Sequence, residues 1–275
     1  MKISVIIPAY NCAGLIEKCI DSILSQKGAE LDVIVIDDGS DDGTPEVLKR
    51  YGDRIRTKSI PNGGSSAARN VGIEMIEGDY VMFVDADDYL SEGTVELLVS
   101  EIEKTDADVI KFRYRLIFPD GGTLVRHNQF DKYEIIEKPD FKKKVYPYFL
   151  KGIRLNSMCT GIFRASLIKG RKFREDMRVA EDAVFSLGTI TLAKKIVFLP
   201  DILYDYYQSG TSLTGTGASL YQKYHCNFIV SRETAKLLKE WDMDDPITRI
   251  RVYLRAVILT FNKVFRMISN KFEGR

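Results

Sequence analysis

Two apolar runs, each closing on a cluster of aspartates, constrain this 275-residue chain more than any other feature. The first reads Val33-Ile34-Val35-Ile36-Asp37-Asp38-Gly39-Ser40 and the second Tyr80-Val81-Met82-Phe83-Val84-Asp85-Ala86-Asp87-Asp88. Runs of β-branched and aromatic residues without polar alternation suit parallel strands buried on both faces. Ligands of open α/β sheets bind beyond the carboxyl ends of such strands. The pattern therefore delivers carboxylates from two strands to one crevice.

The surrounding sequence keeps the same rhythm. Strands over 3–7, 32–36, 55–60 and 80–84 alternate with helices over about 13–26, 43–51, 65–77 and 92–104, the βαβ alternation of a Rossmann-like, mostly parallel sheet with helices on both faces. Pro45 after Asp41-Asp42-Gly43-Thr44 fits a first helical turn. Beyond a strand at 109–118, Pro119-Asp120-Gly121-Gly122 predicts a turn and an antiparallel hairpin completed by Thr123-Leu124-Val125-Arg126. Residues 128–150 show weak periodicity and are expected to form an irregular, mobile segment over the crevice or an acceptor-side excursion.

An apolar content of 45% can fill the core of one large α/β domain, and 40 basic against 39 acidic residues leave no broad field for nucleic acid. Cys12, Cys19, Cys159 and Cys226 lack Cys-x-x-Cys spacing, and His127 and His225 are isolated, so reduced thiols are expected and no zinc site. Pro8 and Asn11 interrupt the first apolar run, and no uninterrupted apolar stretch of about eighteen residues occurs, so a cytoplasmic chain is expected.

Asp85-Ala86-Asp87 has the form of a site for a divalent cation bridging a diphosphate, because Mg²⁺ and similar hard cations take one or two carboxylates and fill their remaining positions with phosphate oxygens and water. Pro8-Ala9-Tyr10-Asn11 closes the first strand with an aromatic face on which a base can stack, while a second-strand carboxylate accepts a ring N–H such as that of uracil. Asn62-Gly63-Gly64-Ser65-Ser66-Ala67-Ala68-Arg69-Asn70 allows close backbone approach to a ligand and offers Arg69 to phosphate or to an aspartate. No Gly-x-Gly-x-x-Gly follows the first strand, and Gly215-Thr216-Gly217 does not restore one.

Together, Ser4 to Asn11, Asp37 to Thr44, Asn62 to Asn70 and Asp85 to Asp88 resemble family 2 inverting glycosyltransferases of the GT-A fold, as found in bacterial surface-polysaccharide synthesis. The resemblance implies a nucleotide seated against Pro8, Ala9, Tyr10, Asn11, Asp38 and Gly64, with Arg69 and Asp85 nearby. It implies Mn²⁺ or Mg²⁺ on Asp87 and Asp85 with Asp88 in support. Val179-Ala180-Glu181-Asp182-Ala183 resembles the family's Glu-Asp signature, with Asp182 as general base and Glu181 assisting. Leu203-Tyr204-Asp205-Tyr206-Tyr207-Gln208-Ser209-Gly210-Thr211-Ser212 resembles the tyrosine-rich segment that follows, but lacks an arginine after the second tyrosine, so Tyr206 or Ser212 would have to meet the diphosphate.

The expected organisation is a donor half over 1–108, an acceptor half of the same domain over 109–215 and a helical extension over 216–275. In the extension, Ile250, Leu254, Val257, Phe261, Val264 and Ile268 form an apolar stripe, with Arg251, Arg255, Asn262 and Arg266 on another side. Such a helix can lie on an anionic membrane face, pack on its own protein or join two copies as a homodimer. The resulting expectation is a metal-dependent transfer of a hexose or N-acetylhexosamine from a UDP-sugar to a saccharide, plausibly lipid-linked at the inner membrane face. Its rivals are a sugar-nucleotide nucleotidyltransferase, against which the absence of Lys or Arg in Ala9 to Gly14 counts, and a non-catalytic nucleotide-sugar-binding protein.

Overall fold

The computed structural model describes residues 1–125, 131–151, 155–208 and 219–272, with side chains as far as residue 261. His127, Ser212, Gly215 to Gly217 and the side chains of Asn262, Val264, Arg266 and Ile268 lie outside that range.

The first hundred residues build β1 (Lys2–Ala9), α1 (Ile16–Leu24), β2 (Glu30–Asp37), α2 (Thr44–Lys49), β3 (Arg56–Ser59), α3 (Ser65–Glu74), β4 (Tyr80–Phe83), β5 (Tyr89–Leu90) and α4 (Thr94–Thr105). Strands β1 and β2 pair in parallel from Lys2↔Glu30 to Ala9↔Asp37, so their carboxyl ends leave the sheet together. Strand β4 lies parallel on the other side of β1, with Phe83 opposite Ile6. Ile16, Cys19, Ile20 and Ile23 recur at the spacing of one helical face and bury α1. Helix α3 ends three residues before the expected boundary, and Gly78 then passes so close to β1 that a Cβ there would lie 2.5 Å from the Ser4 nitrogen.

The second part adds β6 (Val109–Ile117), β7 (Thr123–Val125), β8 (Glu134–Glu137), α5 (Phe141–Lys144), α6 (Tyr146–Lys151), β9 (Gly161–Arg164), α7 (Glu181–Leu192) and β10 (Lys195–Tyr207). One ten-stranded sheet results, in the order β3-β2-β1-β4-β9-β6-β10-β5, with β7 paired to β6 and β8 to β10. Strand β9 runs antiparallel to both β4 and β6, whereas β10 is parallel to β6. The expected hairpin of β6 and β7 forms, with Leu116 opposite Leu124.

The expectation for 128–150 is corrected over its described residues. Strand β8 and helices α5 and α6 occupy it, and Phe141, Val145, Tyr146 and Phe149 enter the core. Their i, i+4, i+8 spacing is helical, but Lys142 to Lys144 between them mask it. Trp241 explains the aromatics: it stacks on Tyr146 at 4.4 Å and Phe149 at 5.9 Å, and its Nε1–H donates to Thr191 Oγ1 at 3.1 Å.

The chain ends in α8 (Leu220–Leu237) and α9 (Pro246–Phe272). All four cysteines are free thiols, three of them buried. No helix among the described residues is long and apolar enough to cross a membrane.

Gly72 sets how closely α3 approaches β1, because a Cβ there would stand 2.5 Å from Ile6 Cγ2. Gly72→Ala should lower unfolding stability by about 1–3 kcal/mol in a denaturant titration, the usual cost of overpacking. An unchanged midpoint would mean that the sheet yields at no cost.

Candidate active site

The turn after β1 and the turn after β2 are tied together before any ligand arrives. Asn11 takes a positive φ of 46°. Its amide donates to Asp41 Oδ1 at 2.7 Å and its Oδ1 accepts the Asp41 N–H at 3.0 Å. Its backbone N–H donates to Ser40 Oγ. Asn11 thus ties the two turns together. The side chain of Ala9 is buried in the core, and its carbonyl accepts the Asp38 N–H at 2.8 Å. Pro8 is half-buried, while Tyr10 leaves 49% of its surface exposed, an open aromatic face at the mouth of the crevice.

Asp38 is buried, and its two oxygens accept the N–H groups of Gly63 at 2.7 Å and Gly64 at 2.8 Å. Gly64 has φ of 87°, a conformation that glycine adopts without strain, and it caps the start of α3. A carboxylate offers about four lone-pair directions, so Asp38 keeps acceptor capacity beyond these two bonds. Asp37 serves the turn itself, accepting from the Ser40 N–H and the Ser59 hydroxyl.

Arg69 is the centre of the arrangement. Helix α3 carries it to 5% exposure beneath the end of β4, where one terminal nitrogen donates to Asp85 Oδ1 at 2.8 Å. The other donates to Glu181 Oε1 at 3.2 Å and lies 3.6 Å from Asp182 Oδ1. The guanidinium also sits 5.4 Å from the centre of the Phe173 ring. Burial opposes its charge, but Asp182, Asp85 and Glu181 outweigh that and hold its pKa well above the ordinary value. Arg69 is therefore an internal bridge between the Asp-x-Asp turn and the Glu-Asp pair, not a cation left open for phosphate.

Asp182 lies in the first turn of α7, preceded by Ala180 at φ of 62°. Its Oδ2 accepts the Met158 N–H at 3.4 Å, while Oδ1 is buried without a hydrogen-bond donor. Burial raises its pKa against the pull of Arg69, and burial together with Asp182 pushes Glu181 up to about 7. A carboxylate above its usual range is a stronger base for a hydroxyl proton.

The three aspartates after β4 separate by role. Asp88 is buried: the Tyr204 hydroxyl donates to Oδ2 at 2.6 Å and the Tyr207 N–H to Oδ1 at 2.8 Å. The Asp85 N–H in turn donates to the Tyr204 oxygen at 3.2 Å. Asp88 thereby joins this turn to β10, with burial and the charges of Asp85 and Asp87 raising its pKa to about 9. Asp87 is half-buried, and no other side chain among the described residues donates to it. Burial and Asp85 raise its pKa. Among the described residues no three metal-ligating side chains converge. Asp85 and Asp87 nevertheless fit a cation of the kind that completes its coordination with phosphate and water, because one arginine leaves their charge incompletely balanced.

Two contributors carry no motif. Lys111, wholly buried on β6, donates to the Ser157 carbonyl at 2.5 Å and Thr160 Oγ1 at 3.2 Å, fixing the loop whose Met158 N–H meets Asp182. Burial lowers its pKa to about 7 against the charges of Cys159 and Asp182. Gly161 makes room for it, since a Cβ there would meet Lys111 Cδ at 2.9 Å. A lysine between Ile110 and Phe112 in an apolar strand was the available signal. Tyr204 is the second, legible as a packing tyrosine but not as the partner of Asp88. The side chain of Tyr206 is half-buried, with its ring 6.3 Å from that of Tyr114.

The titration of Glu181 has a testable sign. Its pKa rises from 4.5 to about 7 in the folded chain, so the native state holds more protons than the unfolded one in that window. The resulting stability is complete below pH 4.5 and is lost as pH rises through about 7. Glu181→Gln should flatten the stability profile across that window, as read by denaturation at a series of pH values; an unaltered slope would exclude Glu181 as its source. Tyr204→Phe, which leaves the buried Asp88 short of a donor, should cost about 1–3 kcal/mol in the same assay. A loss of a few tenths would show that the clamp is dispensable.

Comparison with known proteins gives this site its context. Residues 4–171 match the model of glycosyl transferase family 2. The glycosyltransferase EpsJ of Bacillus subtilis is 33% identical over 77% of this chain, and GlyA of Streptococcus pneumoniae is 30% identical over 74% of it. The matches span 62% of EpsJ and 30% of GlyA, so the chain corresponds to part of these relatives. Among solved structures, residues 1–349 of S. aureus TarS in complex with UDP-GlcNAc superpose with a TM-score of 0.77 at 25% identity, covering 94% of this chain and 73% of that one. With more than half of its length matched by the family model and its sheet shared with TarS, the chain belongs to glycosyl transferase family 2.

Proposed function

We propose that this chain is an inverting glycosyltransferase that moves a hexose or N-acetylhexosamine from a UDP-sugar to a saccharide acceptor, in the manner of bacterial surface-polysaccharide synthesis. The observation that carries this reading is the Arg69 bridge, which brings Asp85 of the Asp-x-Asp turn and the Glu181–Asp182 pair to one guanidinium. Carboxylates read here as nucleotide-side and acceptor-side thus meet the same side chain, which supports their acting in one reaction. The binding of UDP-GlcNAc by TarS supports a uridine donor. A lipid-linked glycan at the inner membrane face is the acceptor that suits this reading.

The residues divide the work accordingly. Tyr10 offers a stacking face to the base, and Asp38, oriented by Gly63 and Gly64, accepts its ring N–H. Asp85 meets the ribose, and Asp87 with Asp85 would hold Mn²⁺ or Mg²⁺. Such an ion supplies charge stabilisation for the departing diphosphate. Asp182 takes the proton of the acceptor hydroxyl as that oxygen forms its bond to the anomeric carbon, and the bond from that carbon to UDP breaks on the opposite face. Glu181 keeps Arg69 in place beside it.

A silent binding protein would have no use for Asp182 as a general base. Asp182→Asn should leave calorimetric UDP binding unchanged while transfer falls about 10²–10⁴-fold, the usual contribution of a general base. Release of UDP from a panel of UDP-sugars should require added metal and vanish in Asp87→Ala. Full transfer by Asp182→Asn would overturn the assignment, and metal-independent release would remove the cation.

A further inference from the structure

The terminal helix packs the opposite way from what its composition suggests. Helix α9 turns Val252, Arg255, Ala256 and Thr260 inward, and an Arg255 terminal nitrogen donates to the Phe149 carbonyl. The apolar stripe faces out: Ile250, Leu254 and Ile258 are 59%, 53% and 55% exposed, and Ile247, Val257 and Phe261 are exposed beside them. Packing of the stripe on the protein itself is thus excluded for its described members. The surface continues onto α8, where Phe228 meets Tyr253 at 5.7 Å and Tyr221 is 75% exposed, with Tyr224 between them in sequence. Contiguous apolar surface on this scale marks an interaction face.

We infer that the joint face of α8 and α9 lies on an anionic lipid surface, with the aliphatic side chains of α9 in the acyl boundary and the tyrosines at headgroup level. Charge selects this occupant. From Ile247 to Lys271 there are six basic residues and no acidic one, and of the three whose side chains are described Arg249 pairs with Asp244, Arg255 turns inward and Arg251 is left at the surface. Arg251 borders the stripe, exposed and with no acidic partner among the described residues. A second copy docked through the same face would bury Arg251 against a helix that carries no carboxylate. Anionic headgroups supply the missing charge, each basic residue near such a surface contributing about 1 kcal/mol. Tyrosines with one wet end suit the same interface.

The inner side of α8 is near the site. Cys226, Ile229 and Val230 of α8 are buried and pack with Met177 and Ala183, and Ala183 follows Asp182 directly. The helix that meets the lipid therefore also backs the helix that carries the base, which would keep a lipid-linked saccharide close to it; this clause alone depends on the proposed function.

The test is sedimentation of the full chain with vesicles of phosphatidylcholine, with and without phosphatidylglycerol. It compares the native sequence with the double variant Ile250→Ser/Leu254→Ser and with Arg251→Gln, all changes at exposed positions. The native chain should sediment with the anionic vesicles, release with added salt, and bind at least about tenfold more weakly in the double variant, as expected for two lost apolar anchors. Arg251→Gln should weaken binding severalfold with no change in folding. No anionic-vesicle binding, or equal binding by all three proteins, would overturn the inference. A native dimer in light scattering that the double variant dissolves would overturn it too, by assigning the face to a second copy. Calorimetric UDP binding, measured on the same proteins, reads the nucleotide site separately, so failure there leaves the lipid result standing.

Discussion

A single buried guanidinium holds the two ends of the site together. Arg69 faces three carboxylates from two separate segments, the turn after β4 and the first turn of α7. Removing a cation from such a place leaves buried charges uncompensated, which costs far more than a surface ion pair. Asp87 and Asp88 lie in the same turn as Asp85, and burial first, with neighbouring charges, holds the carboxyl groups of Asp87, Asp88, Glu181 and Asp182 above their ordinary pKa. In the function proposed above, a divalent cation arriving with a diphosphate would bring further positive charge to this turn.

Much of the first hundred residues was legible because local signals there agree. Val33 to Ile36 and Tyr80 to Val84 are buried on both faces, as their unbroken apolar character requires. The position of the Glu-Asp pair was likewise readable, though its link to Arg69, more than a hundred residues away, was not. Hydrogen bonds across such separations leave no periodicity behind. Asn11 and Asp88 show a related limit: the motifs pick out these residues but not the neighbours they bond to, Asp41 for one and Tyr204 with Tyr207 for the other.

Farther along, sequence reading weakens for a different reason. The region around Phe141 to Phe149 hides a helical face behind three lysines, and its aromatics answer to Trp241, a residue almost a hundred positions later. In α9 the apolar stripe was visible but its direction was not. Arg255 goes inward at the expense of its own basicity, burial lowering its pKa to about 10. Periodicity locates a face; only the packing partner decides which way it turns.

Strand β9 has a consequence for how such a chain can be divided. Its four residues lie between β4 and β6, so the strand that presents Asp85 and Asp87 borrows its neighbour from far beyond the apparent midpoint of the sequence. Cutting after residue 108 would strip Tyr80 to Met82 of their partners Arg164 to Ile162 and leave an open, wholly apolar sheet edge. The two halves are therefore halves of a written sequence only. As folding units they are interleaved, and a recombined descendant that exchanged everything after β6 for foreign sequence would have to inherit a compatible β9 or lose the nucleotide half as well.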